Sequence, residues 1–364
     1  MIERELFTLL RLGLGTGTVE KEDISALLTF SEQQWEELKE TACFQGVLGI
    51  VLDGIDQMPQ KSYVLPKQLR LQWIGEVLQN YEAGNMQQLL VIDSVQREWA
   101  KAGIRMMVMK GQAMGTYYPN PKHRSPGDID CYLFEDYAKG NEMAKAFADK
   151  VDEGWYKHSQ ISVGGQIIEN HQYFVHTRDG KRSKALNQVL VDALSGSAVE
   201  IGESLGGALL PPPMFNALFL TYHAMTHFLE EGLKMKQVLD WAMFLHHDAD
   251  KVDWGEFYRL CDRFHMRRFA DVMTDVVVRY LGVDVTQILQ KTQITTTSPY
   301  TEKVLHSTLY DQDYVFSSGE GGWKNRWHIV RNLWKYRWKY EEIYQTSVWK
   351  QLWWYATGFL FKTE

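Results

Sequence analysis

Apolar positions in the first hundred residues recur every three or four. Trp35, Leu38, Ala42, Cys43, Val47 and Ile50 form one such run, and Trp73, Val77, Tyr81, Leu89, Ile92 and Val95 another. That spacing predicts amphipathic helices, with 57–66, carrying Pro59 and Pro66, as a loop between them. The pattern changes at Gly103. Residues 104–109 form a compact apolar run closed by Lys110-Gly111, which reads as a short buried strand. Residues 112–118 allow a turn or two of helix, whereas Pro119, Pro121 and Pro126 forbid regular helix up to Gly127. Over 128–134 the chain alternates, with Ile129, Cys131 and Leu133 on one face and Asp128 and Asp130 on the other. That is the period of a strand. Residues 136–150 read as helix. The runs 155–163 and 166–175 flank Gly164-Gly165, a hairpin signal because tight hairpin turns need positive φ. The second arm places Ile167, Glu169, His171 and Tyr173 on one face.

From Pro211-Pro212-Pro213 onward the helical period returns, with candidates at 215–229, 235–246, 254–264 and 267–280. The expected fold is therefore α+β. A small mixed-sheet core at 101–208 lies between an N-terminal helical region, 1–100, and a C-terminal helical region, 209–364, that ends in a tryptophan-rich basic tail. The early Gly13-x-Gly15-x-Gly17 lacks the Lys-Ser/Thr of a phosphate loop and reads as a turn between helices.

Composition adds limits. With 364 residues and 45% hydrophobic content the chain can build more than one packed unit. A net charge of −7 argues against broad, non-specific nucleic-acid binding, which needs a basic footprint. Cys43, Cys131 and Cys261 lie far apart without metal-ligand spacing and read as reduced thiols. The apolar run at 6–14 is short and follows Glu3, Arg4 and Glu5, unlike a secretory signal, and no stretch suits a membrane span. A cytoplasmic location is expected.

Candidate chemistry centres on Asp128 and Asp130. Two carboxylates side by side repel each other unless a cation sits between them. A hard divalent ion such as Mg2+, with Mn2+ as the alternative, prefers oxygen ligands and leaves room for phosphate oxygens. Lys110-Gly111 precedes the pair, Arg124 stands four residues before Asp128, and Glu169 follows on a second strand. In this order Lys110-Gly111, Arg124, Gly127-Asp128-Ile129-Asp130 and Ile168-Glu169-Asn170-His171 resemble the uncharacterised nucleotidyltransferase family of the polymerase-beta superfamily. His223-x-x-x-His227 followed by Leu239-Asp240-Trp241 resembles that family's helical half, and the likeness extends over about 30–250.

The resemblance implies a role for each matched position. Asp128 and Asp130 match the metal-binding pair. Glu169 matches the third carboxylate, which completes the metal site or activates the acceptor hydroxyl. Gly111 matches the glycine beside the triphosphate, and Gln112 stands where the superfamily prefers serine. Arg124 offers a bidentate phosphate clamp, and Lys110 a point charge for phosphate. His171, beside Glu169, is a candidate for orienting that carboxylate or the acceptor. His227, Lys234 and Lys236 are candidates for lining the nucleotide cleft from the helical half. His223 and His227 at i, i+4 have zinc-like spacing but no evident third ligand. Asp240 is read as holding helix ends or pairing with a base.

The implied activity is Mg-dependent transfer of a nucleoside monophosphate from a nucleoside triphosphate to a hydroxyl of a small molecule or protein, releasing pyrophosphate. The alternative is a non-catalytic nucleotide-binding regulatory or partner protein of the same fold. In the tail, Trp327, Trp334 and Trp338 fall at offsets of seven and eleven among Lys324, Arg326, Arg331, Lys335, Arg337 and Lys339. That spacing favours a helix packed on the body over peripheral contact with a membrane surface.

Overall fold

The computed structural model describes residues 3–58, 65–176, 180–195, 201–286, 288, 297–311 and 323–353, with the side chains of 323–326 excepted. Six helices come first. They are α1 Glu3–Leu14, α2 Lys21–Leu27, α3 Glu32–Phe44, α4 Leu48–Asp56, α5 Lys67–Glu76 and, after a π-helical turn at Val77–Glu82, α6 Ala83–Ala100. The glycine-spaced segment closes α1 and leads to α2, as a turn should. Helices α1 and α4 pack backbone against backbone at two glycines. A Cβ on Gly13 would lie 2.1 Å from the Ile50 carbonyl oxygen, and one on Gly54 2.0 Å from that of Leu9. Only glycine permits that approach.

The α+β core follows: β1 Met107–Met109, α7 Gly111–Gly115, β2 Ile129–Tyr132, α8 Tyr137–Ala144, β3 Lys150–Asp152, β4 His158–Val163 and β5 Gln166–His171. The five strands form one mixed sheet in the order β1-β2-β5-β4-β3. Strands β2 and β5 run parallel, while β1/β2, β4/β5 and β3/β4 are antiparallel. The expected strand over 128–134 is shorter than the alternation suggested, and Asp128 lies one residue ahead of it. The helix expected over 136–150 ends at Ala144, and its last residue, Lys150, opens the edge strand β3. Three residues at a sheet edge carry no period to read.

One sheet face carries Ile129, Cys131, Ile161 and Ile168, which pack on Val91, Ile92, Val95 and Trp99 of α6. The other face carries the acids. The remaining helices are α9 Lys181–Leu194, α10 Pro213–Glu230, α11 Met235–Asp248, α12 Trp254–Phe264, α13 Arg267–Leu281, α14 Thr301–Tyr310 and α15 Trp323–Lys335. Their core is continuous with that of α1 to α5, running from Leu6 to Val348. Thr16 Oγ1 donates to the Leu281 carbonyl at 2.7 Å and ties the two helical regions together. Among the described residues no helix is long and apolar enough to cross a membrane.

The tail differs from the single packed stripe expected. Ile329, Leu333, Tyr336, Tyr340 and Ile343 are buried, and Trp338 sits edge-on to Phe228 at 5.7 Å. Trp327 and Trp334 are 70% and 47% exposed. The helix breaks at Tyr336 and a π-helical turn follows at Lys339–Ile343. Trp338 therefore leaves the phase of Trp327 and Trp334. The side chains of Trp323, Lys324 and Arg326 lie outside the described residues.

Candidate active site

Sharp backbone turns and a polar network bring Asp128 and Asp130 to one cleft, which Glu169 does not line. Lys110, after β1, adopts φ 49° and ψ −136°, rare for a residue with a side chain. Gly111 follows at φ +23°, where a Cβ would lie 3.3 Å from the Asp128 carbonyl oxygen. Strained backbone of this kind persists only where its surroundings enforce it. The loop that leads to Asp128 is gripped by α6. Asn85 Nδ2 donates to the carbonyls of Lys122 and Arg124 at 2.8 Å each, and Gln88 Nε2 donates to that of Gly127. Gln112 Nε2 donates back to Asn85 Oδ1 at 2.6 Å and Gln88 Oε1 at 2.7 Å. The Gln112 amide hydrogens are thus engaged in a buried network that holds the loop.

Arg124 is also turned inward. Its Nε and Nη2 donate to Asp240 Oδ1 and Oδ2 at 2.8 Å each, and Tyr118 Oη donates to the same Oδ1 at 2.8 Å. The two-pronged face expected to clamp phosphate is occupied by an acid from α11, although Arg124 still borders the cleft. Burial, and then the Asp240 charge, push the Tyr118 phenol well above its usual range. Asp240 is the acid partner of a base, one of its two anticipated roles.

Asp130 pairs with Glu169 across the parallel strands, so both side chains leave the same face of the sheet. Lys110 Nζ lies 2.7 Å from Asp130 Oδ1, and His171 Nε2 2.9 Å from the same oxygen. Burial opposes ionisation of Asp130, but the Lys110 ammonium and the bond to His171 hold its carboxyl far below the ordinary range. Asp128 behaves oppositely. Partial enclosure raises its carboxyl, and the charges of Glu169 and Asp130 raise it further. Glu169 is held down despite burial, by its contact with His171 and, after the opposing Asp130 charge, by the nearby His158. His158 lies 3.3 Å from Glu169 Oε1, and His171 3.6 Å from Oε2. Above all, burial pushes the His158 imidazole down to about 4, so it is neutral near pH 7.

The cleft holds about 810 Å³ of space including its mouth. Lys110, Gly111, Asp128 and Asp130 line it from the sheet side, and His223, His227 and Lys236 from the helical side. Lys110 Nζ is 3.4 Å from His223 Nδ1, and His223 Nε2 is 3.1 Å from His227 Nε2. Burial first, then the Arg124 charge, lowers the Lys236 ammonium. Lys234 does not line this cleft. Its Nζ lies 3.0 Å from the centre of the Phe44 ring, and burial lowers it to about 8. His158 was not singled out by the sequence reading, although a signal existed. Counting back from a two-residue Gly164-Gly165 turn sets it opposite His171.

A mixed sheet presenting paired acids beside a strained Lys-Gly turn, closed by a helical half, defines a nucleotidyltransferase-like class. The model of the uncharacterised nucleotidyltransferase family matches residues 31–282, and the chain belongs to that family. Membership supports a transferase. No curated protein and no solved structure matches the chain.

Proposed function

We propose that this protein transfers a nucleoside monophosphate from a nucleoside triphosphate to an acceptor hydroxyl and releases pyrophosphate. The observation that carries the reading is the convergence of Asp128 and Asp130, with Glu169 behind them, on one cleft with cationic walls. The residues fit a divalent cation. Asp128 is pushed up by burial and then by its like-charged neighbours, and the Lys110 ammonium already stands against Asp130 in the place of a cation. Asp128 and Asp130 would hold Mg2+, with Glu169 adding charge behind them. The ion, when bound, supplies Lewis acidity to the phosphates.

The chain's own groups do the rest. Lys110, freed from Asp130, and Lys236 provide positive charge for the triphosphate. Gly111 keeps the approach clear for backbone amides. Lowered below its ordinary value, Glu169 is ionised at neutral pH and is a poor proton acceptor, which favours charge-holding over general-base work. Arg124 and Gln112 position the Asp128 loop rather than touch phosphate. With its negative net charge, a small molecule or a protein suits the acceptor better than bulk nucleic acid. A second reading, non-catalytic nucleotide binding, draws on the Lys110–Asp130 pair, which neutralises one acid within the chain.

Calorimetry with each of the four nucleoside triphosphates tests the proposal. Binding is expected with Mg2+, and the Asp128→Ala/Asp130→Ala double variant is expected to lose it. Equal binding by the double variant would overturn the assignment.

A further inference from the structure

We propose that His158, Glu169 and His171 form a binding site for a nitrogen-accepting divalent transition ion, separate from the oxygen-only position at Asp128 and Asp130. The three residues each offer one ligand atom, and these atoms all lie within 4.8 Å of one another. The hairpin register makes this possible, because His158 sits directly opposite His171 and Glu169 is two residues earlier on the same face.

Spacing agrees with a metal. Bonds of about 2.0–2.1 Å arranged tetrahedrally set neighbouring ligand atoms about 3.4 Å apart. His158 Nε2 to Glu169 Oε1 is 3.3 Å, and His171 Nε2 to Glu169 Oε2 is 3.6 Å. Glu169 turns its oxygens to the two imidazoles and does not line the cleft that Asp128 and Asp130 border.

The orientation of the two rings also suits a metal ligand set. His171 Nδ1 faces the Tyr173 carbonyl at 3.2 Å, which can only accept, so that nitrogen carries hydrogen. That leaves Nε2 as the ring nitrogen turned to the carboxylates, 2.9 Å from Asp130 Oδ1 and 3.6 Å from Glu169 Oε2, the position a metal ligand would occupy. Both ring nitrogens of His158 are shielded from water and have no hydrogen-bond partner. An ion at Nε2 would give one of them a partner. The His158 ring is covered by Trp155, stacked at 6.1 Å with 17° between planes, which fixes its direction. Two imidazoles and one carboxylate select a first-row transition ion over Mg2+, which requires oxygen donors.

This inference stands on the triad and not on nucleotide transfer, so the two fail separately. The experiment uses full-length, chelator-stripped protein titrated with Co2+, read by visible absorption and by calorimetry. Nitrogen-ligated Co2+ bands are expected. His158→Gln and His171→Gln should weaken Co2+ binding tenfold or more, Asp128→Asn less than twofold, and excess Mg2+ should not displace the ion. His158→Cys gives a second reading that does not depend on loss, since a thiolate-to-cobalt charge-transfer band should appear. Equal affinity in the histidine variants, displacement by Mg2+, or no charge-transfer band with His158→Cys would overturn the site. A cobalt site that behaves as expected in a protein that transfers no nucleotide would count against the proposed function alone.

Discussion

Replacing Asp240 with asparagine tests how the helical half holds the loop that carries Asp128. The carboxylate accepts three hydrogen bonds of 2.8 Å, two from Arg124 and one from Tyr118. Both partners in the ion pair are buried, with side chains only 8% and 6% exposed. Removing one charge leaves the Arg124 guanidinium buried without its counter-ion. The asparagine oxygen can still accept from Nε and Tyr118, but its NH2 meets Nη2 donor to donor. Breaking a buried pair from one side costs about 3–5 kcal/mol. The assay is urea unfolding, read as a fall in midpoint at unchanged slope. Arg124 sits four residues before Asp128 on the loop that α6 grips, so Mg-dependent nucleotide binding should weaken as well. Replacing the group with apolar residues, Arg124→Met/Asp240→Leu/Tyr118→Phe, should recover most of the stability, since no buried charge is then stranded. A loss below about 1 kcal/mol in Asp240→Asn, the range of exposed pairs, would refute the reasoning. Unchanged nucleotide affinity in a destabilised Asp240→Asn would refute the positioning role.

Two further outcomes can be measured independently. Gly54→Ala places a methyl group 2.0 Å from the Leu9 carbonyl oxygen. It should lower stability by about 2 kcal/mol or more as α1 and α4 are forced apart, and an unshifted thermal midpoint would show that the crossing has slack. Lys339, buried against Phe228 with its Nζ 3.2 Å from that residue's carbonyl oxygen, is lowered from 10.5 to about 8 by burial. Its native form binds fewer protons than the unfolded chain between those values, so stability rises with pH from 8 to 10.5. A shift of that size corresponds to on the order of 3 kcal/mol at about 1.36 kcal/mol per unit. Lys339→Met should remove this rise, and a parallel pH dependence in the variant would contradict it.

The sequence disclosed the elements whose periodicity is strong. Helices α10 to α13 fall within two residues of the expected spans at either end. The alternation that sets Asp130 on one face of β2, and Glu169 with His171 on one face of β5, follows from a period of two and a glycine hairpin, both readable, whereas the parallel pairing that joins the two strands is not. What stayed hidden depends on contacts between distant segments. Nothing local to Arg124 says that its fork meets an acid 116 positions later, or that the Gln112 amide turns to Asn85 and Gln88. Strand β3 has three residues and gains its pairing only from β4. The tryptophan spacing in the tail implied one face, but the helix break at Tyr336 separates Trp338 from the exposed Trp327 and Trp334.

Nucleotide carrying a radiolabel at either the α- or the γ-phosphate tests the central claim most directly. Wild-type protein incubated with Mg2+, labelled nucleoside triphosphate and cell extract should place α-label on an acceptor and release γ-label as pyrophosphate. The Asp128→Ala/Asp130→Ala variant should do neither. Label from the γ-phosphate on the acceptor, or equal α-label with the double variant, would contradict a nucleotidyl transfer centred on these acids.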